Sequence, residues 1–231
     1  MHCYLCSRTD FRIRAIRTRD RIDVRVVECE TCGLVQTDKT SHIAEGHYEE
    51  SLMHGQKPPS MEEWLSSCEY DDRRRLESLS RLIEGRRILD FGCGAAGFVN
   101  KARAVARSVA GVEVERRIHE YWNGQLDLYT SLDGLGNDFD VITSFHVFEH
   151  LADPRGMLQR LAKHLRSNGR FILEVPSSDD ALLTLYESEP FQKFTYWSQH
   201  LFLFNAATMR LLSEQAGLKV IAIEQVQRYP L

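Results

Sequence analysis

The sequence predicts an α/β protein, a parallel sheet with helices on both faces, preceded by a small cysteine-bearing β module. Three observations predict it. From residue 88 onward, short apolar runs alternate with stretches of helical period. A glycine-rich turn, Gly92-Cys93-Gly94-Ala95-Ala96-Gly97, joins the first run to the first such stretch. Two CxxC pairs, Cys3/Cys6 and Cys29/Cys32, flank a region of alternating polarity. Composition agrees: 231 residues with 43% hydrophobic and 27% charged side chains can bury a full core. A net charge of −4 argues against a protein whose whole surface grips nucleic acid. No apolar run approaches the ~18 residues of a membrane span. Met1-His2-Cys3-Tyr4 has neither a basic nor an apolar leader, so a cytoplasmic protein is expected.

The module spans 1–40. Phe11, Ile13 and Ala15 alternate with Arg12 and Arg14; Ile22, Val24 and Val26 alternate with Asp23 and Arg25; Thr18-Arg19-Asp20 supplies the turn of a hairpin. So small a unit has almost no core and needs a staple. Two CxxC pairs around a hairpin match tetrahedral thiolate ligation of zinc, so Cys3, Cys6, Cys29 and Cys32 are the expected ligands. A redox CxxC would be a single pair beside a βαβ unit. Cys68 falls on a helical face and Cys93 in the glycine turn. The arginines between Arg8 and Arg25 are offset by Asp10, Asp20, Asp23, Glu28 and Glu30, which reads as a solvated hairpin face.

Residues 41–60, with Gly46, Gly55 and Pro58-Pro59, read as a linker, and 61–231 as the second domain. Met61–Glu84 is a helix with Leu65, Cys68, Leu76, Leu79 and Ile83 on one face. Then follow strand 88–91, helix 98–107, strand 109–114, helix 116–122 and strand 139–145. Asp153-Pro154 opens a helix that Asn168-Gly169 stops. Strand 171–175, helix 205–215 and a last strand 218–226 complete the pattern.

The glycine turn lets a ligand approach the backbone at a helix N-terminus. Asp90, two residues before Gly92, disfavours a pyrophosphate there and favours a cation. S-adenosylmethionine carries a sulfonium and an ammonium and no phosphate. Glu113, about twenty residues on at the end of the next strand, suits a pair of ribose hydroxyls.

Leu89-Asp90-Phe91-Gly92-Cys93-Gly94 resembles motif I of the class I S-adenosylmethionine-dependent methyltransferases, with Ala96 where their third glycine stands. Phe139-Asp140-Val141-Ile142, followed by Val147-Phe148-Glu149-His150-Leu151-Ala152-Asp153-Pro154, resembles their fourth strand and the acid–histidine stretch after it. The resemblance covers roughly 60–231 and implies a Rossmann-like sheet with Asp90, Gly92, Gly94, Glu113, Phe145 and His146 around the cofactor. Gln227-Arg228-Tyr229-Pro230-Leu231 follow directly on the last predicted strand, so that family's usual seventh strand is not expected in this sequence.

Phe194-Thr195-Tyr196-Trp197-Ser198-Gln199-His200-Leu201-Phe202-Leu203-Phe204 reads as an aromatic loop on the substrate side, with Phe202 and Phe204 packing on the sheet. With the cysteine module, it is similar to methyltransferases of nucleotide-linked deoxysugars and surface glycans. There a Tyr-x-Glu-His run supplies the base. His200 keeps the histidine's place, while Trp197 and Gln199 replace the tyrosine and glutamate, so O- and C-methylation both stay open. The resemblance implies a small acceptor, a sugar or nucleotide sugar, with His200 as base and Glu149 and His150 as the competing candidates. An RNA methyltransferase gripping its substrate through the zinc module, and a non-catalytic scaffold that binds the cofactor, are the alternatives. Oligomeric state and acceptor identity are not legible.

Overall fold

A computed structural model of the chain describes residues 1–43, 47–50, 52–55 and 57–226. In chain order the strands are β1 (Phe11–Ala15), β2 (Val26–Cys29), β3 (Val35–Thr37), β4 (Arg87–Phe91), β5 (Ser108–Val112), β6 (Asp127–Tyr129), β7 (Phe139–Phe145), β8 (Leu165–Glu174) and β9 (Phe202–Leu203). The helices are α1 (Met61–Ile83), α2 (Gly97–Ala102), α3 (Arg116–Trp122), α4 (Pro154–Ala162), α5 (Ala181–Thr184), α6 (Glu189–Thr195) and α7 (Ala206–Gln215). Single helical turns lie at Leu52–His54 and Phe148–His150. The described residues of 1–44, 146–159 and 174–225 form one compact unit, and those of 45–145 and 160–173, with Val226, a second.

In the first unit β1, β2, β3 and β9 form an antiparallel sheet in that order. The expected hairpin forms, with its second strand displaced. Phe11 pairs with Cys29 and Ile13 with Val27, so the strand runs Val26–Cys29 rather than from Ile22 to Val26. The displacement brings Cys29 to the end of the ladder and leaves 16–25 as a broad loop. Ile22 is accordingly 82% exposed, whereas Val24 is fully buried. The turn is closed where predicted, the Thr18 N–H donating to the Arg21 carbonyl at 3.1 Å. β9, read from sequence as part of a loop, pairs with β3 through Val35–Leu203 and Gln36–Phe202. Phe202 and Phe204 are buried, as expected. The Tyr4 hydroxyl donates to Asp153 and accepts the Arg155 N–H at 2.9 Å, fastening the first cysteine pair to the start of α4. Asp153 also caps that helix, accepting the Gly156 N–H at 3.1 Å.

In the second unit the sheet runs β6-β5-β4-β7-β8. β4 is parallel to both β5 and β7, with Asp90 opposite Gly111 on one side and Thr143 on the other. Ile88, Phe98, Val99, Val109, Ile118 and Val141 form the core, against which α1 packs Leu65, Leu76, Leu79 and Ile83. A capping box starts α1: Ser60 Oγ accepts the Glu63 N–H at 3.1 Å and Glu63 Oε2 accepts the Ser60 N–H at 2.8 Å.

Several boundaries move. The helix expected over 98–107 ends at Ala102, because the Arg107 and Ser108 N–H groups already donate to the Arg86 carbonyl at 2.9 and 3.3 Å and begin β5. The helix opened by Pro154 ends at Ala162 rather than at Asn168-Gly169, which fall inside the longer β8. β3, β6, α5 and α6 are short elements that the apolar pattern does not signal. No strand forms over 218–226; Ile221 is 70% and Val226 54% exposed, without a ladder partner. The expectation for Gln227–Leu231, and for parts of the 41–60 linker at 44–46, 51 and 56, lies outside the described residues.

Candidate functional sites

The four paired cysteines converge. Their sulfurs lie within 4.8 Å of one another, with Cys3–Cys32 at 3.4 Å and Cys6–Cys29 at 3.5 Å, and no disulfide forms among the described residues. Zn–S bonds of about 2.3 Å in a tetrahedron place sulfurs about 3.8 Å apart, inside that range. Backbone N–H groups of Leu5 and Cys6 point at Cys3, those of Thr31 and Cys32 at Cys29, and that of Leu34 at Cys32. Gly33, at φ +80°, makes the tight turn after the second pair. The donor set fits zinc.

The glycine loop is built by three residues in the left-handed region: Gly92 (φ +69°), Gly94 (φ +53°) and Ala96 (φ +60°), the last immediately before α2. Ala96 thus adopts the conformation its glycine counterpart in motif I would take without a Cβ clash. Glu113, one residue past β5, holds the loop. Its Oε2 accepts the Gly94 N–H at 2.8 Å, and its Oε1 accepts those of Val114 and Glu115 at 2.8 and 3.1 Å. Asp90 is 2% exposed and accepts the Thr143 hydroxyl at 2.7 Å. Burial pushes its carboxyl up to about 7, against the opposing pull of Thr143 and Arg75.

Three residues of α1 belong here that the sequence reading missed. Asp72 is buried so close to α2 that a Cβ on Gly97 would lie 2.1 Å from its Oδ2. Burial raises its carboxyl to about 6, with Arg75 and Lys101 opposing. Arg75 lies 3.7 Å from Asp72, and its guanidinium stacks 4.4 Å above the Phe145 ring. Phe145 in turn meets Phe98 edge-on at 5.1 Å. Trp64 sits against Gly94. The signal was available: Asp72 interrupts the apolar stripe Leu65, Cys68, Leu76, Leu79, where a carboxylate has no reason to be buried unless it serves a site. Asp72, Asp90 and Glu113 together carry more negative charge than Arg75 offsets, a setting suited to a cation. An open depression of about 420 Å³ lined by Arg103, Arg107, Gln125 and Asp127 lies elsewhere, at the N-terminal ends of β5 and β6.

In the first unit, Glu149, His150 and His200 come together, each with a donor atom within 4.8 Å of the others. Glu149 and His150 lie on the helical turn after β7, and His200 between α6 and β9. Glu149 is fully buried and takes a bond of 3.3 Å from His146 Nδ1 on Oε1, while its Oε2 has no hydrogen-bond partner. His146, at φ +57°, also reaches Glu174 at 3.2 Å through Nε2. His150 Nδ1 lies 2.8 Å from the Gln199 carbonyl and His200 Nδ1 2.7 Å from that of Thr195. The two rings are 5.0 Å apart, with Trp197 edge-on to both. Burial, helped by His150, lowers His200 to about 4, Glu149 pulling the other way, so the ring is neutral at neutral pH. Burial works against the charge on Glu149, but its bond from His146 and the neighbouring imidazoles outweigh it and hold the acid below its ordinary value.

The hairpin loop grips this segment within the same unit. Asp20 accepts the Ser198 N–H at 3.0 Å and the Ser198 hydroxyl at 2.6 Å. The Arg19 N–H donates to the Tyr196 carbonyl at 2.9 Å, and its guanidinium lies 4.3 Å above Trp197.

Comparison with known proteins gives these arrangements a family. The chain is 32% identical over 109 residues to the mitochondrial ubiquinone biosynthesis O-methyltransferase of Schizosaccharomyces pombe, 41% of this chain and 39% of that protein. The chain thus spans about two fifths of that relative's length. It is 26% identical over 165 residues to the corresponding enzyme of Aeromonas salmonicida, covering 64% and 68% of the two chains. Among solved structures, a SAM-dependent methyltransferase from Aquifex aeolicus shares the fold at TM-score 0.52 and 18% identity, covering 68% of this chain and 84% of that one. Residues 61–223 match the family model described as a methyltransferase domain, and the chain belongs to that family.

Proposed function

We propose that the chain transfers the methyl group of S-adenosylmethionine to a hydroxyl of a small, ring-bearing acceptor. The observation that carries the cofactor reading is the excess of carboxylate around the Gly92–Gly97 loop: Asp90 and Asp72 buried, and Glu113 fixed by three N–H groups. A sulfonium and an ammonium relieve that excess, whereas a pyrophosphate adds to it. Asp90, Gly92, Gly94, Glu113 and Phe145 form the cofactor side, with Asp72 and Arg75 added. His146 braces Glu149.

Methyl transfer is an in-line attack of the acceptor oxygen on the sulfonium methyl, and the protein's share is positioning, exclusion of water and removal of one proton. In this reading Glu149, His150 and His200 serve the acceptor. The neutral His200 takes the proton, and the Glu149 carboxylate offsets the charge that then forms on the imidazole. Trp197 offers a face to the acceptor ring. The relatives named as O-methyltransferases favour oxygen over carbon as the attacking atom. Sugar hydroxyls and aromatic-ring hydroxyls are the two acceptor classes to compare. The four cysteines hold one zinc ion, whose role is to fold the hairpin.

The RNA alternative is not favoured. Arg12 and Arg14 pair with Glu28 at 2.7 and 2.9 Å, Arg21 and Lys39 with Asp23 at 3.1 and 2.6 Å, and Arg25 with Asp38 at 2.8 Å. Five of the module's cations are thus answered locally. The test is S-adenosylhomocysteine release with a panel of nucleotide sugars and hydroxylated aromatic rings. Turnover with either class, lost by at least 10²-fold in His200→Ala at unchanged cofactor affinity, supports the proposal. Turnover only with RNA overturns it.

A further inference from the structure

We propose that Glu149, His150 and His200 bind a divalent first-row transition-metal ion, at a centre separate from the four cysteines. The three side chains bring one carboxylate oxygen and two imidazole nitrogens within 4.8 Å of one another. Two imidazoles and a carboxylate suit borderline ions such as Co²⁺, Ni²⁺, Zn²⁺ or Fe²⁺, and leave coordination positions for water or a hydroxyl. Both rings are already set as ligands. Each places Nδ1 on a backbone carbonyl, Gln199 at 2.8 Å for His150 and Thr195 at 2.7 Å for His200. That bond fixes the tautomer and assigns Nε2 as the ligand atom, the outer-shell arrangement usual for metal-bound histidine.

Glu149 supplies the second, independent observation. The side chain is fully buried, and its Oε2 has no hydrogen-bond partner. A buried carboxylate oxygen left unanswered is costly, and a cation answers it. Its other oxygen is oriented by His146, itself held at 3.2 Å from Glu174, so the carboxylate is braced from behind. With His200 Nε2 on the ion, that ring would no longer be the base; the ion would instead bind the acceptor hydroxyl and lower its pKa, and the proton would pass to water. That role rests on the function proposed above. Binding of the ion does not, and is measured without turnover.

The experiment titrates Co²⁺ into full-length protein that retains one zinc per chain, by calorimetry and visible absorption. One further equivalent should bind, with ligand-field bands and without the thiolate-to-cobalt charge-transfer bands that displacement at the cysteines would produce. Glu149→Gln and His200→Ala should each weaken it at least tenfold while zinc content and near-UV circular dichroism stay unchanged. Mg²⁺ at tenfold excess should not compete. Absence of a second equivalent in the wild type at millimolar Co²⁺ overturns the proposal, whatever the variants do. So does a second equivalent that both variants retain, or one that Mg²⁺ displaces. Loss of methyl transfer in a protein that still binds the ion would count against the acceptor reading and leave the metal centre standing.

Discussion

Replacing Asp90 by asparagine should stabilise the protein and weaken its hold on the cofactor, a pair of opposite effects that only a charge-based role for this residue produces. The carboxyl is 2% exposed and burial holds it at about 7, against an ordinary 3.8. At about 1.36 kcal/mol per pH unit, that difference amounts to about 4 kcal/mol for ionising Asp90 in the folded chain. Asparagine keeps an oxygen to accept the Thr143 hydroxyl, now at 2.7 Å, and has no charge to bury. Its amide must find an acceptor, at a cost of about 1–3 kcal/mol if it fails. The net gain at pH 8 is about 1–3 kcal/mol, or about 2–12 °C in Tm for a chain of this size. The sign follows from linkage. The folded state binds the Asp90 proton more tightly than the unfolded state, so wild-type stability falls as pH rises from about 4 to about 7. The Asp90→Asn variant lacks that fall, and the gap between the two melting curves should open across the same window. Scanning fluorimetry from pH 5 to 8 reads it, and calorimetry should show the affinity for S-adenosylmethionine falling more than that for the neutral thioether S-adenosylhomocysteine. Equal Tm values at every pH, or equal losses for the two ligands, would refute the reasoning.

Other residues make independent demands. Glu113→Gln cannot accept from both Gly94 and the Val114/Glu115 pair, and should cost about 1.5–3 kcal/mol of stability and at least tenfold in cofactor affinity, by thermal melting and calorimetry. Cys29→Ser should lower zinc below one per chain by metal analysis; full retention would sink the four-cysteine centre. Asp20→Ala removes both bonds to Ser198 and should lower turnover tenfold or more with cofactor affinity unchanged, because it loosens the segment carrying His200.

The second unit was the easier to read. β4, β5 and β7 are mainly buried runs, and the Asp90–Gly94 turn and Glu113 sit at fixed spacing, so local pattern and tertiary register agree there. The first unit is assembled from three distant stretches, and there local pattern fails. Ile22 alternates correctly and is still exposed, because the Cys29 turn, not hydrophobicity, sets the hairpin register. Phe202-Leu203 is too short to declare itself a strand; pairing with β3 makes it one. Residues 218–226 have strand propensity and no partner. His200 and Glu149 were each legible as candidates, but their meeting depends on fifty residues of intervening chain. The apolar stripe of α1 hides Asp72, although a buried carboxylate within that stripe is itself the signal of a site.

The most direct test of the central claim is calorimetric titration of the purified protein with S-adenosylmethionine and, separately, with NAD. The account predicts saturable binding of one S-adenosylmethionine per chain and no measurable heat from NAD, since its pyrophosphate would enter a loop already crowded by Asp72, Asp90 and Glu113. Binding of NAD without S-adenosylmethionine would contradict it.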